Sequence, residues 1–254
     1  MLDKLLAALM FFTRLPFWKL RQPDAACFKH VVEYWPFAGW LTGGAMALAY
    51  VLLVIILPPL VSALGAIGVR LLLTGALHED GLADFCDGFG GASRKQVLEI
   101  MRDSHVGTYG VLGLVMYIAF LAALLASLPV MVAPFCIFIA DVYAKCCAGF
   151  LIRQLPYARR AGEAKSGVVY AAWGTREALL QLVRCGVALA PAALWLWVTE
   201  ISFPFWALLL PPMVELFLVR LMRRKIGGYT GDCCGATCLL CELSLYFPLV
   251  IYYH

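Results

Sequence analysis

From Val106 to Ala140 the chain carries no charged side chain. Crossing the hydrocarbon core of a bilayer takes about 20 mostly apolar residues. The stretch is too long for one crossing and is read as two, broken at Pro129 and Pro134. The second half continues through Asp141 and Lys145 to about Ile152. Phe37 to Leu60 is also uncharged and long enough to span, and Pro58-Pro59 ends it. Val61 to Leu77 forms the return arm of a hairpin, with one charge at Arg70. Cys185 to Val198 and Phe203 to Leu221 make a further pair, and a last span runs from about Cys233 to Tyr252. The expectation is an all-α, polytopic helical bundle of about seven transmembrane helices, one membrane domain over residues 1–254. The segment Leu5 to Phe12 is expected as an amphipathic helix at the membrane surface; it lacks the small-residue cleavage site of a signal peptide.

Composition agrees. Of 254 residues, 63% are hydrophobic and 14% charged, too few polar groups to cover a water-soluble particle of this size. The net charge of +4 is mild and spread over separate interhelical segments, without the concentrated basic patch that a nucleic-acid partner requires. Lys and Arg are absent from the connectors near Pro58, Pro129 and Ser202. They crowd the other set of connectors: the N-terminal segment, the loop with Arg94, Lys95 and Arg102, the loop with Arg153, Arg159, Arg160, Lys165 and Arg176, and Arg223-Arg224-Lys225. The positive-inside rule assigns that set to the cytoplasm. Leu155 to Arg176 is the one long polar connector, expected to be mobile. Most of the ten cysteines lie in apolar runs and are read as small buried hydrophobes, Cys238 and Cys241 included.

Three polar motifs fall on the basic side. In the first, His78-Glu79-Asp80-Gly81-Leu82-Ala83-Asp84-Phe85-Cys86-Asp87-Gly88, the carboxylates of Asp80, Asp84 and Asp87 stand at i, i+4 and i+7, one face of a helix. Three such carboxylates repel one another and remain ionised most easily around a cation. Hard oxygen ligands of this kind suit Mg²⁺ shared with substrate phosphates; the plainer reading is a solvated acidic helix end. The second motif, Arg102-Asp103-Ser104-His105-Val106-Gly107-Thr108-Tyr109-Gly110, opens a span. Arg102 is suited to a forked pair with phosphate, and the helix start offers free N–H groups. Asp103 and Ser104 are substrate contacts or helix caps. The third, Ile226-Gly227-Gly228-Tyr229-Thr230-Gly231-Asp232, precedes the last span. Gly228, Thr230 and Gly231 make a loop able to bring backbone amides to a ligand, and Asp232 adds a carboxylate. His78 and His105 lack zinc-site spacing but stand where substrate would. Asp141 and Lys145 read as a neutralised intramembrane pair, and Arg70 as snorkelling or paired with another helix. Together the motifs suit metal-dependent transfer of a phosphate-containing group.

These strings resemble the cobalamin synthase family, the adenosylcobinamide-GDP ribazoletransferases. The likeness rests on Phe12-Thr13-Arg14-Leu15-Pro16, Trp35-Pro36-Phe37-Ala38-Gly39, the first motif, Arg102-Asp103-Ser104 with Gly107 and Gly110, Pro156-Tyr157-Ala158-Arg159, and Gly227 to Asp232 with Gly235-Ala236. The segment after Arg159 departs from the family pattern. The resemblance implies that adenosylcobinamide-GDP and α-ribazole or its 5′-phosphate are joined, with release of GMP, in the bacterial cytoplasmic (inner) membrane. It implies a need for Mg²⁺, which Asp80, Asp84 and Asp87, with Asp232 as a further carboxylate, are expected to hold, one of these carboxylates or His78 taking a proton. Arg102 and the amides near Gly228 to Gly231 would then steady phosphate oxygens. An oligomer is compatible with this reading. Two rivals are a CDP-alcohol phosphotransferase and a transporter or assembly subunit. The first shares Asp84-x-x-Asp87-Gly88 but meets Gly91 and Ala92 where Ala and Arg are required. The second would place its polar groups at the midplane, where only Asp141, Lys145, Glu215 and Glu242 qualify.

Overall fold

The computed structural model describes residues 1–159 and 168–254. Arg160, Lys165 and the middle of the Leu155–Arg176 connector lie outside the described residues. The described chain is helical: α1 (Leu2–Phe12), α2 (Ala25–Phe28), α3 (Trp35–Val54), α4 (Pro59–Thr74), α5 (Leu77–Gly88), α6 (Arg94–Ile100), α7 (Thr108–Ser127), α8 (Ala133–Gly149), α9 (Leu151–Gln154), α10 (Thr175–Thr199), α11 (Leu210–Lys225) and α12 (Gly231–Tyr253). Prolines sit in the first turns of α3, α4, α8 and α11, where the missing N–H has no intrahelical partner in any case. Among the described residues six helices are long and apolar enough to cross a membrane, or seven if α4 and α5, bent by 94°, together form one span.

Several boundaries differ from expectation. The span placed over Phe37–Leu60 runs from Trp35 to Val54, and Pro59 opens α4 instead of ending α3. The span placed over Val61–Leu77 stops at Thr74, because Gly75 and Ala76 both adopt left-handed backbone (φ 67 and 57). That pair turns the chain sharply and sends α5 off at its own angle. The span placed from Cys185 begins ten residues earlier, at Thr175, where the side chain of Glu177 accepts from the Gly174 N–H and starts the helix.

α8 and α12 are the most enclosed of the long helices, and α3, α5, α10 and α11 pack around them. The other long helices turn apolar side chains outward, among them Leu64 and Leu72 on α4, Val115 on α7, Leu182 and Leu194 on α10 and Phe217 on α11. The basic ends are joined to one another: Arg94 donates to Ala158 O, Arg223 to Gln154 O and Lys225 to Gly91 O. At the far end Ser202 meets Tyr252 and Tyr253. The α1 segment is less peripheral than expected. It buries Ala7, Ala8 and Phe12 against the start of α3.

The α3–α8 seam is close because Gly39 and Gly43 are four residues apart on one face. A Cβ at Gly39 would stand 2.8 Å from Val142 Cγ2, and one at Gly43 would stand 2.9 Å from Asp141 Cβ. Small residues at this spacing let membrane helices approach backbone to backbone. The approach brings Thr42 Oγ1 to Asp141 Oδ2 at 2.5 Å. Asp141 in turn takes Lys145 Nζ at 2.6 Å. The pair expected from sequence therefore forms, but inside a larger cluster. Arg70 Nη1 donates to Glu242 Oε1 at 2.5 Å, and its Nη2 donates to Tyr117 OH at 2.7 Å. Tyr117 OH donates to Glu242 Oε2 at 3.1 Å. Asp141 and Glu79 lie 3.7 and 3.9 Å from the same guanidinium. All these groups are buried. Glu215 is separate and accepts from Gln154 Nε2 at 2.7 Å.

Removing one partner from such a cluster leaves buried charge uncompensated, at about 3–5 kcal/mol. Arg70→Met is therefore expected to lower the thermal midpoint of the detergent-purified protein steeply. Combining it with Glu242→Gln should cost less than the two losses added together. Strict additivity in thermal unfolding of the four proteins would contradict a direct Arg70–Glu242 coupling.

Candidate functional site

The turn at Gly75-Ala76 determines where the first motif goes. The Arg14 guanidinium lies over Gly75, where a Cβ would stand 2.1 Å from Arg14 Nε. The Arg14 N–H donates to Leu73 O at 2.8 Å. The Thr-Arg-Leu-Pro string after α1 thus packs on the bend that launches α5. Along α5, His78, Glu79 and Asp84 are buried, Asp80 is exposed and Asp87 is half-buried. Glu79 points into the bundle toward Arg70, while His78 and Asp80, on either side of it, line a cleft.

The opposing wall comes from the third motif. At Gly81 a Cβ would stand 3.0 Å from Asp232 O, and at Gly235 one would stand 3.1 Å from His78 O. These two glycines let α5 and the start of α12 touch backbone to backbone. They place Asp232 against the turn of α5 that bears Asp80 and Asp84. Thr230 is buried, caps α12 by accepting from Cys233 N–H at 3.3 Å, and donates to Asp232 Oδ2 at 3.3 Å. Gly228 has a steric task, since a Cβ there would meet Pro156 O at 2.3 Å. That approach pairs the glycine loop with Pro156-Tyr157-Ala158-Arg159: Tyr229 N–H donates to Pro156 O at 2.9 Å and Ala158 N–H to Tyr229 O at 2.8 Å. Gly231 opens α12 and lines the cleft with Asp232.

The second motif meets α5 at its other end. Asp87 accepts from the N–H groups of Gly107 and Gly110 at 2.7 and 2.8 Å. Glycine is needed at both positions, because a Cβ would stand within 2.6 and 2.4 Å of the carboxylate oxygens. Capping of α7 by Asp103 or Ser104, one of the two readings made above, is corrected here. The N-cap is Gly107, and the free amides of α7 are met by Asp87 from α5. Asp103 instead accepts from His105, through its N–H and ring Nδ1 at 3.0 and 2.7 Å. That hydrogen bond holds Asp103 below the usual carboxylate range and His105 above the usual imidazole value. Arg102 and Ser104 are exposed on the same loop. The three motifs thus converge on α5, with Asp80 and Asp232 in one cleft and Asp87 and Asp103 in a second, shallower depression.

The first cleft holds about 230 Å³. Arg159 is buried along its wall, 4.0 Å from Asp232 Oδ2 and donating to Leu98 O at 3.2 Å. Tyr157 and Tyr170 face the same space, and burial pushes both phenols above their ordinary value. Phe11, Phe12, Trp35, Tyr157 and Tyr170 had no place among the candidate site residues. Their only signal was that Phe12, Trp35 and Tyr157 lie inside family-like strings. Among the described residues, no three of His, Cys, Asp and Glu surround one point as a ready metal cage. Asp80 and Asp232 on a shared cleft fit the mode in which Mg²⁺ keeps several waters and takes one or two carboxylates together with substrate phosphate.

Asp87→Ala should strand two amide donors at the start of α7 and cost about 1–2 kcal/mol, read as a lower thermal midpoint. Asp87→Asn, which keeps one acceptor oxygen, should lose less. Equal stability of the Ala variant and the parent would remove the capping role.

Residues 4–250 match the family described as cobalamin-5-phosphate synthase. A curated relative from Shewanella woodyi, named adenosylcobinamide-GDP ribazoletransferase, is 35% identical over 96% of this chain and 93% of its own. A relative of the same name from Azorhizobium caulinodans is 37% identical over 97% of this chain and 94% of its own. One from Shewanella oneidensis is 34% identical over 98% and 94%. No solved structure matches. The match extends from the first turn of α1 through the bend, both glycine seams and the cleft, and on this ground the chain belongs to the cobalamin-5-phosphate synthase family.

Proposed function

We propose that this chain is a membrane-embedded adenosylcobinamide-GDP ribazoletransferase. It joins adenosylcobinamide-GDP to α-ribazole or its 5′-phosphate and releases GMP. The observation that carries the reading is the shared cleft, where Asp80 of α5, Asp232 at the start of α12 and buried Arg159 meet beside an aromatic wall. Carboxylates and a guanidinium at a helix N-terminus suit a pyrophosphate that must be held and broken. The relatives' names supply the substrates.

In this reading the ribazole 3′-hydroxyl attacks the phosphorus bonded to cobinamide. The new O–P bond forms as the bridging P–O bond to GMP breaks, and the leaving phosphate takes the electron pair. Asp80, exposed in the cleft, would accept the hydroxyl proton; its exposure, against the burial of the His78 ring, supports that choice. Arg159 and the first amides of α12 steady the phosphate oxygens as charge shifts to GMP. Mg²⁺ held by Asp80 and Asp232, with Asp84 adjoining, would supply Lewis-acid polarisation of the pyrophosphate. Asp87, engaged with α7, would act through the position of α5.

The basic ends and the cleft belong to the same side of the bundle, which favours a cytoplasmic active face in a bacterial inner membrane. Soluble, phosphorylated substrates would reach the cleft from there.

The test is turnover in liposomes with adenosylcobinamide-GDP, α-ribazole and Mg²⁺, following GMP and cobalamin. Asp80→Asn is expected to lower kcat about 10²- to 10⁴-fold, and chelation of Mg²⁺ to abolish product. An Asp80→Asn protein with full activity would overturn the assignment of the proton acceptor. Activity unchanged in chelator would overturn the metal.

A further inference from the structure

The cleft has an aromatic side that phosphate chemistry does not require. Phe12, Trp35 and His78 come from α1, α3 and α5. Their rings lie within 16° of parallel, with centroids 4.8 Å (Phe12–Trp35), 5.5 Å (Trp35–His78) and 6.0 Å (Phe12–His78) apart. A column of three rings would hold its outer members much farther apart. The three rings are therefore offset-stacked as steps, overlapping one another rather than lying in one plane. Phe11 meets Phe12 and Tyr170 edge-on at 79° and 78°, closing one side. Two ring nitrogens on the wall, Trp35 Nε1 and His78 Nε2, are buried and have no hydrogen-bond partner among the described residues. Trp35 is 1% exposed and His78 4%. Buried polar atoms in native proteins are nearly always paired, so an unpaired donor-only nitrogen on the cleft wall, Trp35 Nε1, points to a ligand that supplies an acceptor.

We propose that this wall is the docking site for the aromatic base of the ribazole acceptor. The inference rests on the reading of the chain as a ribazoletransferase and names which part of which substrate the cleft takes. Three features select that base. A corrinoid carries a rim of amide groups that aromatic carbon would leave unpaired. Guanine presents several donors and acceptors around its edge, most of which would be left unpaired against aromatic carbon. A benzimidazole-type riboside is a flat, apolar bicycle with one free imine nitrogen, which accepts a single hydrogen bond. Trp35 Nε1, a donor only, matches it. Stacking of a flat base on aromatic side chains is worth about 1–3 kcal/mol per base. With the base on the wall, the ribose lies toward Asp80 and Asp232 in the same cleft. The wall thereby sets the position of the attacking hydroxyl.

Two measurements on the full-length protein in detergent or liposomes test this. The first is equilibrium binding of α-ribazole alone and of GMP alone. The second is steady-state kinetics with each substrate varied. Trp35→Phe keeps the ring and removes the N–H, and Phe12→Leu removes one step. Both variants are expected to weaken α-ribazole binding and raise its KM about tenfold, with GMP binding and the KM for adenosylcobinamide-GDP unchanged. Retained elution as one folded species and an unchanged donor KM separate this from misfolding. If the variants weaken GMP binding or raise the donor KM instead, the cleft holds the nucleotide and the proposal falls. If neither ligand responds to either variant, it falls too. α-Ribazole bound in a Trp35-dependent way, without turnover by the parent protein, would uphold the base site while refuting the proposed reaction.

Discussion

Two buried cations and three buried carboxylates in an apolar bundle set the frame for everything else in this structure. Arg70 reaches Glu242 on α12, Tyr117 on α7, Asp141 on α8 and Glu79 on α5. Lys145 and Thr42 complete Asp141. Such a cluster does not owe its presence to raw stability, because desolvation offsets much of the Coulomb attraction. Its effect is to make one arrangement of six helices far better than any neighbouring one. A one-residue slip of α5 or α12 would leave a charge alone in hydrocarbon.

Glu79 connects this frame to chemistry. It lies between His78 and Asp80, so the side of α5 that faces Arg70 and the side that faces the cleft are set by one rotation of the helix. The bend at Gly75-Ala76 gives that rotation its freedom, and Arg14 packs over the bend. The glycine seams then convert orientation into contact. Gly39 and Gly43 admit α8, while Gly81 and Gly235 bring α12 against α5. In lipid no hydrophobic drive separates helix–helix from helix–lipid contact, so close packing and internal polar pairs must supply specificity. This bundle uses both at the same places.

The cleft joins two environments that one substrate pair needs together. Its lining combines carboxylates, a guanidinium and the start of a long helix with aromatic rings, two of whose nitrogens are unpaired. A transferase that aligns a sugar hydroxyl with a phosphorus has to position both partners before charge moves. The layout of the cleft is suited to that division of labour.

Much of this was legible in the chain alone. Uncharged runs and proline breaks located the spans, because the bilayer dictates length and forbids unpaired backbone. The spacing of Asp80, Asp84 and Asp87 placed them on one side of a helix, and the basic connectors grouped the three motifs on one face. Their partners were not legible. Asp87 turned to the amides of Gly107 and Gly110 and displaced the local caps, because a carboxylate from another helix met two donors at once. Arg70 could be read as paired, but not as the hub of four partners. The aromatic wall had no local signal, since Phe12, Trp35 and His78 are distant in sequence and become neighbours only when α1, α3 and α5 pack. Periodicity and composition are properties of a segment, so the sequence determined the segments; the site is made of contacts between segments, and only the packing of the bundle decided those.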